Sequence, residues 1–238
     1  ITQKYLKTIV EDLKKYFHSI SIEIHPMSSE EYAELIDAGV DGLTVYQETY
    51  LPDVYKTLHL KGKKTDFKWR LETPGRAGQA GIRRIGIGFL LGLSDWRLEG
   101  YYLSFHAQYL MKRFWQSQIS MSLPRLCQTG KNFQVPHPVS DANFVQLLCA
   151  LRMVFPDAML TLSTRENPSL RSRLIPLGFT MVSAGSKTEP GGYSHIHQGD
   201  SQFEIEDTRS SMEVADEISR MGLEPVWKDW DRYFLNKE

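Results

Sequence analysis

Polar and charged side chains follow six short apolar segments of this 238-residue chain. They are Glu23 and His25, Gln47 and Glu48, Ser94 and Asp95, Arg125, the run 163–166 and the run 183–187. In parallel α/β folds, ligands bind outside the carboxyl ends of the strands, where such groups can bind and orient a small polar molecule. Polar residues also mark ordinary loop starts. Six successive examples with arginines among them nevertheless favour a shared ligand site.

Strands alternating with helices must position these residues. Short apolar runs at 21–25, 42–47, 86–91, 119–123, 158–162 and 179–182 predict six strands. Helical patterns lie between them at 52–59, 66–80, 95–115, 141–154 and 169–174, and a further helix runs to Met221. Because no two-residue Asn-Gly or Asp-Gly link joins neighbouring strands, we expect a parallel sheet. The predicted fold class is α/β. It is a TIM-type barrel of about six βα units, a partial barrel with a C-terminal helix and tail, in a single domain 1–238.

Local signals mark one helix in detail and suggest two packing surfaces. Ser28 with Glu31 three residues later predicts a capped helix start, and Gly39 predicts the end of that helix. The tail 224–230 is rich in aromatic residues and is expected to pack on the body of the protein. The helix 95–115 carries a stripe that predicts a buried face, made of Leu98, Tyr102, Phe105, Tyr109 and Met111.

Composition limits the partners. Hydrophobic residues make up 41% and charged residues 24%, and 28 basic against 29 acidic residues leave no net field for nucleic acid or a membrane surface. No segment approaches the roughly 20 apolar residues of a membrane span. The two cysteines, Cys127 and Cys149, cannot form a disulfide framework, which favours a cytoplasmic location. The chain begins at Ile1 within a helical pattern, which suggests a fragment of a longer protein.

Other site chemistries find little support. Gly62-Lys63 has Thr57 where a phosphate-binding loop needs a glycine, and no Gly-x-Ser-x-Gly elbow occurs. His195 and His197 could face a metal from an extended segment, but a glycine-rich surface loop is the simpler explanation. We therefore expect no metal ligands within this chain.

Seven segments resemble a known family over essentially the whole chain. They are VYQETY (45–50), KGKKTDFKWRLETPGRAGQAGI (61–82), GIGFLLGLSDW (86–96), SLPRL (122–126), LSTRE (162–166), SKTEPGGY (186–193) and PVWKDWD (225–231). The family is that of the 2-iminoacetate synthases, radical S-adenosylmethionine (SAM) tyrosine lyases of thiamine biosynthesis. The region of about 95–220 also looks like the biotin and thiamin synthesis associated region.

The resemblance implies two sets of binding residues. Segment 88–95 looks like the strand that lies against the adenine of SAM, with a leucine and an aspartate as departures. The expected SAM-binding residues are Glu48, Arg70, Gly88, Leu90 and Gly92. The expected substrate-binding residues are Arg125, Ser163, Arg165 and Ser183. The arginines suit carboxylates because a guanidinium presents two parallel donors.

The resemblance also implies cofactors and partners. SAM and a [4Fe-4S] cluster are expected, with cleavage of L-tyrosine to 2-iminoacetate and p-cresol. The family's Cys-x3-Cys-x2-Cys motif is absent from this sequence, so we expect the cluster ligands to lie outside this chain. We also expect that this chain alone is inactive. A reducing electron donor and the thiazole synthase machinery are the expected partners. There are three alternatives: a hydrogenase-maturation tyrosine lyase, a non-catalytic scaffold that docks the thiazole synthase, and a non-radical barrel lyase. The first is disfavoured because no cysteine follows Cys149.

Overall fold

Six short strands alternate with helices along the chain. A computed structural model describes residues 2–126, 134–189, 192–193 and 205–227. Its strands are β1 (Ser21–Ile22), β2 (Gly42–Thr44), β3 (Arg84–Gly88), β4 (Gln118–Ser122), β5 (Met159–Leu162) and β6 (Met181–Val182). They form a parallel sheet in which the strand order follows the chain, β1-β2-β3-β4-β5-β6. The predicted α/β fold with six βα units is confirmed.

Most helices occupy the segments that the sequence predicted. The helices are α1 (Gln3–Leu13), α2 (Ser29–Ala38), α3 (Pro52–Leu58), α4 (Phe67–Leu71), α5 (Thr73–Gln79), α6 (Trp96–Arg113), α7 (Asp141–Val154), α8 (Pro168–Leu174) and α9 (Ser211–Arg220). The single helix predicted for 66–80 is wrong, because the helical segment divides at Glu72. Pro74 explains the break, since proline has no N–H to donate and favours the first turn of a new helix.

Helix α2 shows the predicted capping interactions. The Ser28 hydroxyl accepts a hydrogen bond from the Glu31 N–H, and the Glu31 carboxylate accepts one from the Ser28 N–H. Gly39 ends the helix with φ of +129°, a conformation that glycine adopts without a Cβ clash. The start and the end of α2 were both predicted correctly.

The described residues fall into two compact units. Unit 1 holds residues up to Phe89 together with Leu98–Met121, and unit 2 holds Leu90–Arg97 and Ser122–Pro225. In unit 1, β1 pairs with β2 and β2 with β3, and Leu43 lies beside Ile85 in the register. In unit 2, β5 pairs with β6. Each unit has its own buried apolar core. Examples are Leu35, Tyr55 and Ile85 in unit 1, and Leu148, Leu160 and Leu174 in unit 2.

Helix α6 buries a different face from the predicted one. Leu103, Ala107 and Leu110 are fully buried and recur at helical spacing. The predicted core stripe is instead largely exposed, with 44% of Tyr102 and 54% of Phe105 accessible. Leu98 and Tyr109 are exposed as well, and Met111 is half-buried. The prediction of a buried aromatic face was therefore wrong.

The exposed aromatic face borders a cleft within unit 1. The cleft has a volume of about 850 Å³, and its lining includes Trp69, Arg76, Tyr102, Phe105 and His106. The Arg76 guanidinium lies 3.4 Å from the centre of the Trp69 ring, a cation–π contact. In the described part of the chain, no helix is both long and apolar enough to cross a lipid bilayer.

Candidate functional site

The exit of β2 carries a group of charged side chains in unit 1. Arg70 of α4 donates from Nη2 to the Glu48 carboxylate at 3.0 Å and from Nε to the Tyr46 carbonyl at 2.7 Å. Lys64 reaches the same Glu48 oxygen at 3.3 Å. Both side chains of the Glu48–Arg70 pair are mostly buried, at 17% and 10% exposure, so the pair is shielded from bulk water. The structure thus brings together two of the predicted SAM-binding residues.

Glu23 completes this group from the end of β1. Loss of hydration raises the pKa of its carboxyl, although much of the residue is exposed, and the negative charge of Glu48 raises it further. Arg70 and Lys64 act in the opposite direction. The group therefore combines two carboxylates with two cations, an arrangement that can bind a ligand carrying both charges.

Glu48 occupies an unusual backbone conformation. Its φ is +72°, and it is the only residue other than glycine with a positive φ in the described ranges. Left-handed backbone is disfavoured for residues with a Cβ, so surrounding contacts must hold it. The backbone at Glu48 also forms a parallel bridge with Phe89, which directly follows Gly88 of β3. The two predicted SAM-binding strands are thereby joined at their exits within unit 1.

The predicted SAM-binding residues Leu90 and Gly92 lie in unit 2. The Leu91 N–H donates to the Pro124 carbonyl at 3.0 Å, which extends strand pairing past β3. Gly92 has φ of +114°, and an added Cβ would lie 2.7 Å from Val135. Gly92 therefore lies in a turn beyond the strand, and a side chain at this position would disturb the packing. Turn geometry and packing already require glycine there.

Arg125, at the exit of β4, is engaged by carboxylates. Its Nε and Nη2 donate to the two oxygens of Glu166 at 3.1 and 2.5 Å, a bidentate pair. Its Nη1 donates to Asp141 at 2.7 Å and to the Val139 carbonyl at 2.9 Å. Burial by itself would lower the pKa of Arg125, but the two carboxylates raise it. The predicted substrate residue thus binds protein groups with most of its donors.

The exits of β5 and β6 carry the other predicted substrate residues. The Ser163 hydroxyl accepts a hydrogen bond from the Arg165 N–H at 3.4 Å, and the Ser183 N–H donates to the Leu162 carbonyl at 3.0 Å. The Ser183 carbonyl accepts from Nη2 of Arg171, a fully buried arginine. Hydrogen bonding thus orders both strand exits.

A second cleft in unit 2 follows the exit of β6. It has a volume of about 440 Å³, and its lining includes Ser186, Lys187, Glu189 and Glu206. These side chains offer positive and negative groups to a small polar ligand. The run 183–187, predicted to carry site residues, leads directly into this cleft.

Metal-ligand geometry is absent from the described residues. Within residues 2–126, 134–189, 192–193 and 205–227, no group of three or more His, Cys, Asp or Glu side chains could hold a metal ion. Cys149 is a free, partly buried cysteine of α7. Cys127, His195 and His197 lie outside the described residues, as does most of the C-terminal tail.

Several residues of these sites were missed by sequence reasoning. Glu166 ends the predicted run 163–166, yet its pairing with Arg125 spans 41 residues, and no spacing rule reveals that contact. The buried Arg171 and Asp207 were overlooked because charged residues rarely lie wholly inside a protein. Lys64 was missed because it lies in a basic run, and although its side chain is 59% exposed, it reaches Glu48.

The six consecutive βα units with charged strand exits define the class of the protein, a parallel (β/α) fold of the barrel type. HydG, a maturase of the [FeFe]-hydrogenase, has a similar structure, with a TM-score of 0.86 and 31% identity over 95% of this chain and 51% of that chain. HydG from Carboxydothermus hydrogenoformans gives a TM-score of 0.80 with 33% identity, covering 93% of this chain and 51% of that one. Methylornithine synthase PylB, at 19% identity, covers 94% of this chain and 64% of that chain. Its TM-score of 0.64 supports the fold alone.

Sequence similarity indicates particular relatives. The chain is 46% identical over 230 residues to the 2-iminoacetate synthases of Salmonella typhimurium and Escherichia coli, and this alignment covers 96% of the chain. Residues 119–224 match the Biotin and Thiamin Synthesis associated domain. This similarity confirms the resemblance to 2-iminoacetate synthases that its motifs predicted. It spans about 61% of the length of these curated relatives.

Proposed function

We propose that the protein containing this chain is a tyrosine lyase that cleaves the Cα–Cβ bond of L-tyrosine to give 2-iminoacetate and p-cresol. The observation that supports this most directly is the 46% identity over 230 residues, which extends through both units. HydG is less similar in sequence, at 31% identity, which favours the 2-iminoacetate synthase activity over hydrogenase maturation. The product 2-iminoacetate would serve thiazole formation in thiamine biosynthesis.

The charged group at the β2 exit suits the amino-acid part of SAM. That moiety carries an ammonium and a carboxylate, and the buried Glu48–Arg70 pair offers one partner for each. Arg70 is also fixed by the Tyr46 carbonyl, so its guanidinium is oriented before a ligand arrives. In this proposal, the backbone at Gly88, in the same unit, lies against the adenine.

The described residues do not supply a cluster site, so we assign no cluster ligand to them. SAM and a [4Fe-4S] cluster, when bound, would supply the radical chemistry of the reaction. The share of this chain is to bind the two small molecules, orient them and exclude water. We expect the protein to work in the cytoplasm with a reducing electron donor and with the thiazole synthase machinery.

Arg125, Ser163, Arg165 and Ser183 are proposed to form the tyrosine site. The two arginines are proposed to have different tasks. Arg125 is bidentate to the buried Glu166 and therefore fixes that carboxylate and the start of α7 at Asp141. Arg165 follows β5, its backbone N–H donates to the Ser163 hydroxyl, and its guanidinium is proposed to bind the carboxylate of the substrate.

The test is Arg165→Lys in the full-length protein. Lysine keeps the charge but loses the two-pronged geometry, which weakens a charge-assisted contact by about 1.5–3 kcal/mol. We expect tyrosine turnover, measured as p-cresol released, to fall at least about tenfold. Arg173→Lys, at an exposed position of α8, is the matched control and should retain normal turnover.

Two outcomes would count against the proposal. Unchanged tyrosine kinetics in Arg165→Lys would remove that residue from the substrate site. Absence of tyrosine-dependent p-cresol from the anaerobically reconstituted wild-type protein would refute the lyase function itself.

A further inference from the structure

A buried carboxylate of α6 holds the turn that follows β2. Glu99 is only 1% exposed and accepts two hydrogen bonds from that turn. The Thr49 hydroxyl donates to one of its oxygens, and the Tyr50 N–H donates to the other at 2.7 Å. Thr49 is itself fully buried, and its hydroxyl also accepts from the Leu51 N–H at 3.1 Å. Glu99 thereby fixes two successive residues directly after Glu48.

The position of Glu99 on its helix favours this role. It lies in the first turn of α6, where the partial positive charge of the helix N-terminus stabilises a carboxylate. His106 follows seven residues later, two helical turns along, and therefore on the same face. Its Nδ1 lies 2.9 Å from the Tyr50 hydroxyl. Helix α6 thus contacts the turn at two points through this face.

The turn needs such support because the backbone of Glu48 adopts a left-handed conformation. A residue with a Cβ at φ of +72° relaxes to a commoner conformation unless its neighbours prevent it. Fixing Thr49 and Tyr50 removes that freedom on the C-terminal side, and the parallel bridge to Phe89 restricts the strand. The Glu48 carboxylate then points to Arg70, which it meets at 3.0 Å.

We propose that Glu99 is a positioning residue for the SAM site: it holds Glu48 in its left-handed conformation through Thr49 and Tyr50. Glu99 itself contacts no substrate in this scheme and acts only through the turn. The inference rests on the proposed function insofar as Glu48 is taken to bind SAM.

The test is Glu99→Gln in the full-length protein. The amide keeps the shape of the side chain, but it has one acceptor oxygen facing two donors and lacks the negative charge. We expect the KM for SAM to rise about tenfold while the KM for tyrosine stays within twofold. A tenfold change corresponds to about 1.4 kcal/mol, which lies within the range for a strained backbone conformation.

A second measurement reads the turn directly. Hydrogen exchange followed by mass spectrometry should show faster exchange in the peptide 45–51 of the variant, because the Tyr50 N–H loses its charged acceptor. Gln108→Glu makes the opposite isosteric change at an exposed position of α6 and should change neither measurement. If Glu99→Gln does not fold, Thr49→Val removes the hydroxyl partner at nearly constant volume and should shift the KM for SAM in the same direction.

Each outcome decides a specific point. A lower melting temperature with an unchanged KM for SAM would show that Glu99 is merely structural and would overturn the inference. An unchanged exchange rate in peptide 45–51 would overturn it as well. If the wild-type protein forms neither deoxyadenosine nor p-cresol, the proposed function fails, yet hydrogen exchange still decides whether Glu99 holds the turn.

Discussion

The buried carboxylate of Asp207 connects three parts of unit 2. It accepts hydrogen bonds from Arg171, which is fully buried, and from Arg209 at 2.6 Å. The Asp207 N–H donates to the Thr164 carbonyl at 3.1 Å, and Arg171 donates to the Ser183 carbonyl. The ion pair therefore joins the segment around Asp207 to the exits of β5 and β6, where the tyrosine site is proposed.

Asp207→Asn should destabilise the protein strongly. The amide keeps the shape but leaves two arginines without their counter-charge, and breaking a buried ion pair typically destabilises by about 3–5 kcal/mol. The pKa of Asp207 gives a second measure. Burial raises this pKa, but the hydrogen bonds from Arg209 and Arg171 outweigh that effect and lower it from 3.8 to about 2. A difference of this size is equivalent to about 2 kcal/mol. We therefore expect a loss of about 3 kcal/mol at pH 7.

Urea denaturation at several pH values provides the assay. Because the folded-state pKa is depressed, the contribution of Asp207 is fully present above pH 4 and is lost as the pH falls to about 2. The wild-type protein should lose this stability on acidification. Asp207→Asn should not show this acid-dependent loss. Asp157→Asn, at an exposed position, is the control and should change stability by less than about 0.5 kcal/mol. A variant within 0.5 kcal/mol of wild type at pH 7, or one with the same acid sensitivity, would refute the reasoning.

Two further predictions concern α6. Burial lowers the pKa of His106 from 6.5 to about 4, so the unfolded state takes up the proton first and stability should fall by up to about 3 kcal/mol between pH 6.5 and 4. In urea denaturation, His106→Gln should reduce this dependence of stability on pH. An unchanged slope of stability against pH would contradict its assignment to His106. Leu103→Ala should cost about 2–5 kcal/mol, whereas Phe105→Ser should stay within about 0.5 kcal/mol in the same assay. Equal losses for the two variants would mean that the aromatic face is buried after all.

Local signals in the sequence predicted much of the fold. The capping box at Ser28 and Glu31 and the terminal Gly39 involve neighbours in sequence, so residue types suffice to recognise them. The alternation of strands and helices and the parallel sheet were likewise predictable. The face of α6 was not, because its exposed stripe carries large aromatic side chains, whereas the buried stripe is made of Leu103, Ala107 and Leu110. The spacing of apolar residues identifies an apolar face of a helix, but it does not show whether that face packs in the core or lines a cleft.

The candidate site was only partly accessible to sequence reasoning. Strand exits carry Glu48 and Arg125 as expected, since parallel topology places such residues at one end of each strand. Their partners could not be predicted, because Arg125 meets Glu166 and Glu48 meets Arg70 over long sequence separations. The left-handed backbone at Glu48 was also beyond prediction, since it depends on contacts that a residue 51 positions later supplies.

The anchoring of the β2 turn by α6 has a consequence for the order of folding. The contacts of Glu99 and His106 with Tyr50 span 49 and 56 residues, so they close a long loop that includes α3, α4, α5 and β3. A ribosome delivers the chain from the N-terminus, so Glu48 emerges well before the groups that fix it. During synthesis the turn can therefore relax to ordinary backbone angles, and its final shape waits for α6 to dock. The charged group of Glu48 and Arg70 therefore reaches its final geometry late, once the first unit is complete.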